Sequence, residues 1–172
     1  MSFDLVNLHF KKVSASAHGD EFELWDSDQR IVANVSADYR RRNLISLSGE
    51  LLSGGEPRDF RIERNPVMFS KHLGTVFWGN RSVGELKSLN WLGTRCVIDI
   101  KDGPSIQYTN GGGHAYHVLP WGVLDIRIVA ANSEGLIGGG EGKILTDPGN
   151  LAKVPWLIPI LAFKLYHFWT LS

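Results

Sequence analysis

The chain has 172 residues, with eighteen Lys plus Arg against eighteen Asp plus Glu and a single cysteine. That length suits one domain, residues 1–172, able to bury ~70% of the surface its unfolded chain exposes. Zero net charge excludes a global field that would draw in nucleic acid, so any anionic ligand needs a local patch, and one cysteine excludes an intramolecular disulfide, as suits a reducing cytosol.

The first twelve residues mix charged with apolar side chains, unlike the cationic start and unbroken apolar block of a secretory signal, and are expected to form a first strand. Downstream the recurring pattern is two-residue alternation cut by turn residues every eight to twelve positions. Residues 22–25 and 31–35 flank an Asp-rich connection at 26–30, whose side chains can bond their own backbone, which predicts a hairpin. Residues 75–78 and 82–86 around Gly79-Asn80 predict another, and residues 97–100 and 105–108 around Lys101-Asp-Gly-Pro104 a third. A further hairpin is expected from residues 124–129, the turn at 132–135 and Leu136-Ile137. Nineteen glycines, clustered at 54–55, 111–113 and 138–140, suit a sheet that turns often, because glycine takes positive φ at little cost.

From Val154 to Ser172 the chain is apolar on every face except at Lys164 and His167. A helix of that kind must be buried in protein or lipid. Pro159 fits a helix without loss only in its first turn, so the helix is predicted to start near Trp156 and run to about residue 170, covering about 14 residues or ~21 Å. That falls short of the ~30 Å hydrocarbon layer, which favours a protein core over a membrane anchor.

A long antiparallel meander has two free edges, and closure removes them. A closed barrel of about twelve strands is too wide for its own side chains to fill, because roughly eight strands exhaust that capacity. The expected fold is therefore mainly β, a closed antiparallel β-barrel of about twelve strands around a buried hydrophobic C-terminal helix at about 156–170. Leu157, Leu161, Leu165 and Phe168 are expected to face one wall and Ile158, Ile160, Ala162 and Trp169 the others.

The strand–turn–strand units at 22–35 and 97–108, the late Asp147-Pro148 and the final apolar helix from Trp156 to Trp169 together resemble the tubby C-terminal superfamily, most nearly its LURP-one-like and phospholipid scramblase branches. The resemblance implies a twelve-stranded barrel enclosing a C-terminal hydrophobic helix, the architecture reached above from closure and filling. The basic phosphoinositide-binding residues of tubby proteins, and the Cys-rich and acidic segments of scramblases, match no position here. No functional residue carries over.

Tyr39-Arg40-Arg41-Arg42 is the densest basic cluster, and with Lys71-His72 it is a candidate patch for anionic phospholipid. The bland alternative is a solvated turn, since strand alternation sends Arg41 away from Arg40 and Arg42. Elsewhere the bland reading is the stronger. His114 and His117 face opposite sides of a strand, and no third metal ligand sits at a family spacing. Residues 138–143 (Gly-Gly-Gly-Glu-Gly-Lys) lack the glycine and the Ser or Thr that a phosphate loop needs at 137 and 144. Cys96 lies in an apolar run and is expected to be a small buried hydrophobe. The acids Asp99, Asp102, Glu134 and Glu141 have no catalytic spacing.

The expected function is a non-enzymatic binding or scaffold module that contacts anionic phospholipid headgroups through Arg40, Arg41, Arg42 and Lys71, in the cytoplasm or peripherally on a membrane. No cofactor, metal or nucleic acid is expected. The alternatives are a tail-anchored membrane protein and an enzyme whose site matches no known spacing.

Overall fold

The computed structural model describes residues 5–16, 18–40, 43–53, 56–65, 67, 70–129 and 141–167. The strands are β1 (Val6–Ala15), β2 (Gly19–Trp25), β3 (Ile31–Arg40), β4 (Asn43–Ser53), β5 (Glu56–Arg64), β6 (His72–Trp78), β7 (Arg81–Ser88), β8 (Arg95–Ile100), β9 (Ser105–Thr109), β10 (His114–Leu119), β11 (Gly122–Val129) and β12 (Glu141–Thr146). Two helices follow, α1 (Pro148–Lys153) and α2 (Leu157–Tyr166). Every strand pairs antiparallel with its neighbours, and β12 returns to pair with β1 as well as β11, so the sheet runs β10-β11-β12-β1 and on to β9. The barrel is nearly closed. Among the described residues the seam lies between β9 and β10, where the His117 side chain hydrogen-bonds the backbone of Gln107 across the gap.

Turn chemistry accounts for the hairpins. Asp26 Oδ1 accepts the amides of Asp28 and Arg30, each at 2.9 Å, and ties off the β2–β3 connection while Gln29 takes φ 62°. Gly79 (φ 59°) and Asp102 (φ 57°) turn the β6–β7 and β8–β9 hairpins. The strand that pairs with β11 is β12, and the expected return strand at Leu136-Ile137 lies outside the described residues, as do the glycine pairs and triplets at 54–55 and 138–140. Gly49 is required by packing. A Cβ there would stand 2.1 Å from the Asn34 carbonyl oxygen and 2.4 Å from the Phe60 ring, so no larger residue fits between β3 and β5.

The helix α2 fills the barrel. Every residue from Leu157 to Leu165 is buried, and the strands meet it with an inward set that includes Phe10, Phe22, Phe60, Val76, Leu86, Ile98, Ile106, Leu124 and Ile144. Phe22 stacks on Phe10 at 4.9 Å between centroids and meets Phe163 edge-on at 5.5 Å, which ties β1 and β2 to the helix. Pro159 occupies the third helical position, where its missing N–H costs no bond. The helix is shorter than the expected span of about 156–170. His167 turns extended (φ −85°, ψ 114°), because the β9–β10 turn caps the helix end. The amides of Gly111 and Gly113 donate to the carbonyls of Lys164 and Leu165 at 3.0 Å, satisfying acceptors that a helix C-terminus leaves open. Phe168 and Trp169 lie outside the described residues.

The short helix α1, too brief to leave a period in the sequence, anchors the entry to α2. Buried Asn150 donates through Nδ2 to the carbonyls of Gly122 (3.3 Å) and Val123 (3.0 Å), and Asp147 accepts the Val123 amide. Gly122, at φ 131°, lies so close to Asp147 that a Cβ would overlap its side chain at 2.2 Å. The chain is thereby fixed to the base of β11 before it turns up the barrel axis.

Candidate functional site

Antiparallel order decides which residues share an end of the barrel. Strands β1, β3, β5, β7, β9 and β11 all run towards the end at which α2 finishes, so Arg40, Arg64 and Ser88 close their strands there, while His72 and Arg95 begin theirs. Arg40 is the last residue of β3, opposite Asn43, and Lys71 is exposed immediately before β6. Arg41 and Arg42 lie outside the described residues. Arg40 and Lys71 therefore belong to one rim but not to one contact, because three inter-strand steps of ~4.8 Å separate β3 from β6.

Two cations that were not singled out in the sequence join this rim. Arg64, exposed at the end of β5, and Arg95, exposed at the start of β8, flank Lys71 on neighbouring loops. The Ser88 amide donates to the Lys71 carbonyl at 2.7 Å and fastens those loops together. A sequence signal for this existed: residues 64–84 and 86–98 contain no Asp or Glu. Lys87 is not available in the same way, since it bonds Asp99 at 2.7 Å and Glu85 at 3.3 Å.

Inside the barrel, beneath the same end, lies a polar group that periodicity could not reveal. Lys164, Cys96, Tyr108 and Asn110 are all buried. Burial pushes the Lys164 ammonium down to about 8, against a smaller opposing pull from Cys96, and among the described residues no carboxylate pairs with it. Burial pushes the Cys96 thiol up, opposed by Lys164, Tyr108 and Asn110. The thiol is thus held protonated, the reverse of what a nucleophilic cysteine needs. Cys96 Sγ lies 3.3 Å from the Gly93 carbonyl, which also accepts Asn110 Nδ2 at 2.8 Å. The cluster ties the β7–β8 and β9–β10 turns to the helix end.

The remaining candidates are local structure. His114 faces outward and bonds Asp125 at 2.9 Å, whereas His117 faces the seam, so the two do not converge. Among the described residues no group of three or more His, Cys, Asp or Glu could hold a metal ion. Asp99 is held below its usual range by Lys87 first and Ser105 second, and Asp102 is a turn residue. Glu134 lies outside the described residues, and Glu141 opens β12 at the surface. Gly142 and Lys143 of the glycine-rich run belong to β12. Among the described residues no helix is long and apolar enough to cross a membrane. The helix read alternatively as a tail anchor is the one the strands enclose.

No family model matches the chain, and neither a curated protein nor a solved structure matches it. What can be said of its activity therefore comes from its own residues.

Proposed function

We propose that this protein is a non-enzymatic binding module of the tubby and LURP-one kind, working in the cytoplasm as a peripheral membrane protein. It meets anionic phospholipid headgroups through the rim that carries Arg40 and Lys71. One observation supports this reading above the others: the loops at this end hold Arg64, Lys71 and Arg95 exposed, with no acid in their stretches of chain. Arg41 and Arg42 follow Arg40 directly, which brings the set into the four to eight basic residues that electrostatic attachment to a membrane takes. A second support is the filled interior, since a helix buried along the barrel axis leaves the outer surface for ligands. The absence of net charge puts the whole attraction on this patch.

Sedimentation with phosphatidylcholine vesicles, with and without phosphatidylserine, tests it. Binding is expected only to the anionic vesicles, and it should weaken as salt rises from ~0.05 to ~0.5 M and the Debye length contracts to a few ångströms. The triple substitution Arg40→Ser, Arg41→Ser and Arg42→Ser should lower it about a hundredfold, given roughly 1 kcal/mol per cation near an anionic surface. Unchanged binding by that variant removes the patch as the cause.

A further inference from the structure

The loop between β7 and β8, residues 89–94, presents its apolar side chains to solvent. Trp91 is 91% exposed, and Leu89 and Leu92 beside it are exposed as well. Val67, on the adjoining β5–β6 loop, adds a fourth exposed apolar residue. Single apolar residues at a surface need no explanation, but an indole this bare with three aliphatic neighbours at one barrel end does.

The loop is not exposed for want of structure. Asn90 Oδ1 accepts the amides of Thr94 (3.0 Å) and Arg95 (3.2 Å), and Asn90 Nδ2 donates to Thr94 Oγ1 at 2.8 Å. The Gly93 amide closes the turn on the Asn90 carbonyl at 3.1 Å, with Gly93 at φ 68°, and the Leu89 amide bonds the Arg95 carbonyl at 2.8 Å. Behind the turn the Gly93 carbonyl is held by buried Asn110. The fold therefore spends a full set of hydrogen bonds on holding Trp91 outward.

The charges around the loop indicate what it faces. Arg95 starts the strand at the base of the loop, and Lys71 is bonded through its backbone to Ser88 at the other base, so cations stand behind an apolar tip and no acid lies in residues 86–98. That is the order of groups met on entering an anionic bilayer in reverse: phosphates outermost for the cations, acyl carbons deeper for the tip. Indole is suited to this depth, having an apolar body and one polar N–H. We infer that the 89–94 loop is an interfacial anchor, which inserts Trp91, Leu89 and Leu92 among the lipids of an anionic bilayer while Lys71 and Arg95 contact the phosphates. This rests on the headgroup reading above and adds insertion to it.

The test uses the full chain and vesicles of phosphatidylcholine with phosphatidylserine. Trp91→Ala should cut vesicle affinity about tenfold, the scale for withdrawing one large apolar side chain from lipid, and should keep the salt dependence. Acyl-chain-brominated lipid should quench the emission of the unaltered protein, and much less that of Trp91→Phe, which keeps an apolar tip and binds. If the protein binds anionic vesicles through its arginines but Trp91→Ala binds equally well, insertion is wrong and the headgroup reading stands. No binding to anionic vesicles by the unaltered protein overturns both. Self-association in sedimentation equilibrium that Trp91→Ala abolishes, with no quenching by lipid, would make the loop an interface between copies and overturn the anchor.

Discussion

Cutting the chain after Lys153 is expected to abolish cooperative folding. The deletion removes Trp156, Leu157, Ile158, Ile160, Leu161, Phe163 and Leu165, all buried. At about 1.5–3 kcal/mol for each large apolar side chain, the loss of roughly 10–20 kcal/mol matches or outweighs the ~5–15 kcal/mol by which a domain of this size is stable. Twelve strands cannot collapse on themselves to refill the space without abandoning their register. A single substitution should act in the same direction. Leu161→Asp sets a carboxyl on the fully buried face of α2 and costs several kcal/mol whether ionised or neutral. Circular dichroism melts of both variants should show a broad or absent transition, with the protein aggregating. A soluble 1–153 fragment that melts cooperatively would mean the strands do not depend on the helix.

Replacing Lys164 by methionine should instead stabilise the protein. The folded-state pKa of about 8 lies below the ordinary 10.5, so the unfolded chain holds this proton more tightly. The sign follows: below about 8 the folded state carries the full cost of a buried ammonium, and the cost fades as pH rises from about 8 towards 10.5. Methionine keeps an unbranched apolar chain without the charge. The gain at pH 7 is about 3 kcal/mol, at 1.36 kcal/mol per unit, which corresponds to roughly 5–10 °C in Tm. By about pH 10.5 the two proteins should have equal stability. Urea melts of the pair at pH 7 and pH 10 measure this difference directly. A methionine variant no more stable at either pH would show that Lys164 reaches solvent or a counter-ion.

The barrel was legible in the sequence because its determinants are local or global, with little between. Turn residues at 26–30, 79–80 and 101–104 set three hairpins by short-range chemistry, and each appears where the residues put it. The terminal helix was legible because an unbroken apolar surface has few places to go. Its end was not, since the cap comes from Gly111 and Gly113, some fifty residues earlier in the chain. Strands β4 and β5 left weaker traces. Polar and charged residues such as Ser48, Glu50, Asp59 and Arg61 alternate with the inward Leu47, Leu51, Phe60 and Ile62, and Arg58, on the inward side opposite Leu51, interrupts the apolar pattern.

The rim was half legible for the same reason. A run such as Arg40-Arg41-Arg42 is visible in one dimension, whereas Arg64 and Arg95 join Lys71 only after strand pairing brings their loops to one end. Trp91 carries no periodic signal, because it sits in a turn and its exposure depends on Asn90 holding that turn. Lys164 stood out in the sequence as a polar interruption, yet its neighbours Cys96, Tyr108 and Asn110 come from strands and a turn more than fifty residues away.

Native-state hydrogen exchange tests the central claim, that the barrel and its terminal helix are one cooperative unit. If α2 is the core around which the strands close, the amides of Leu161, Ala162 and Phe163 should exchange only through global unfolding, with the same opening free energy as Val76, Ile98 and Leu124 on the surrounding strands. Exchange of the helix amides through an opening several kcal/mol cheaper than that of the strands would contradict the claim, and would describe a barrel that stands without its helix.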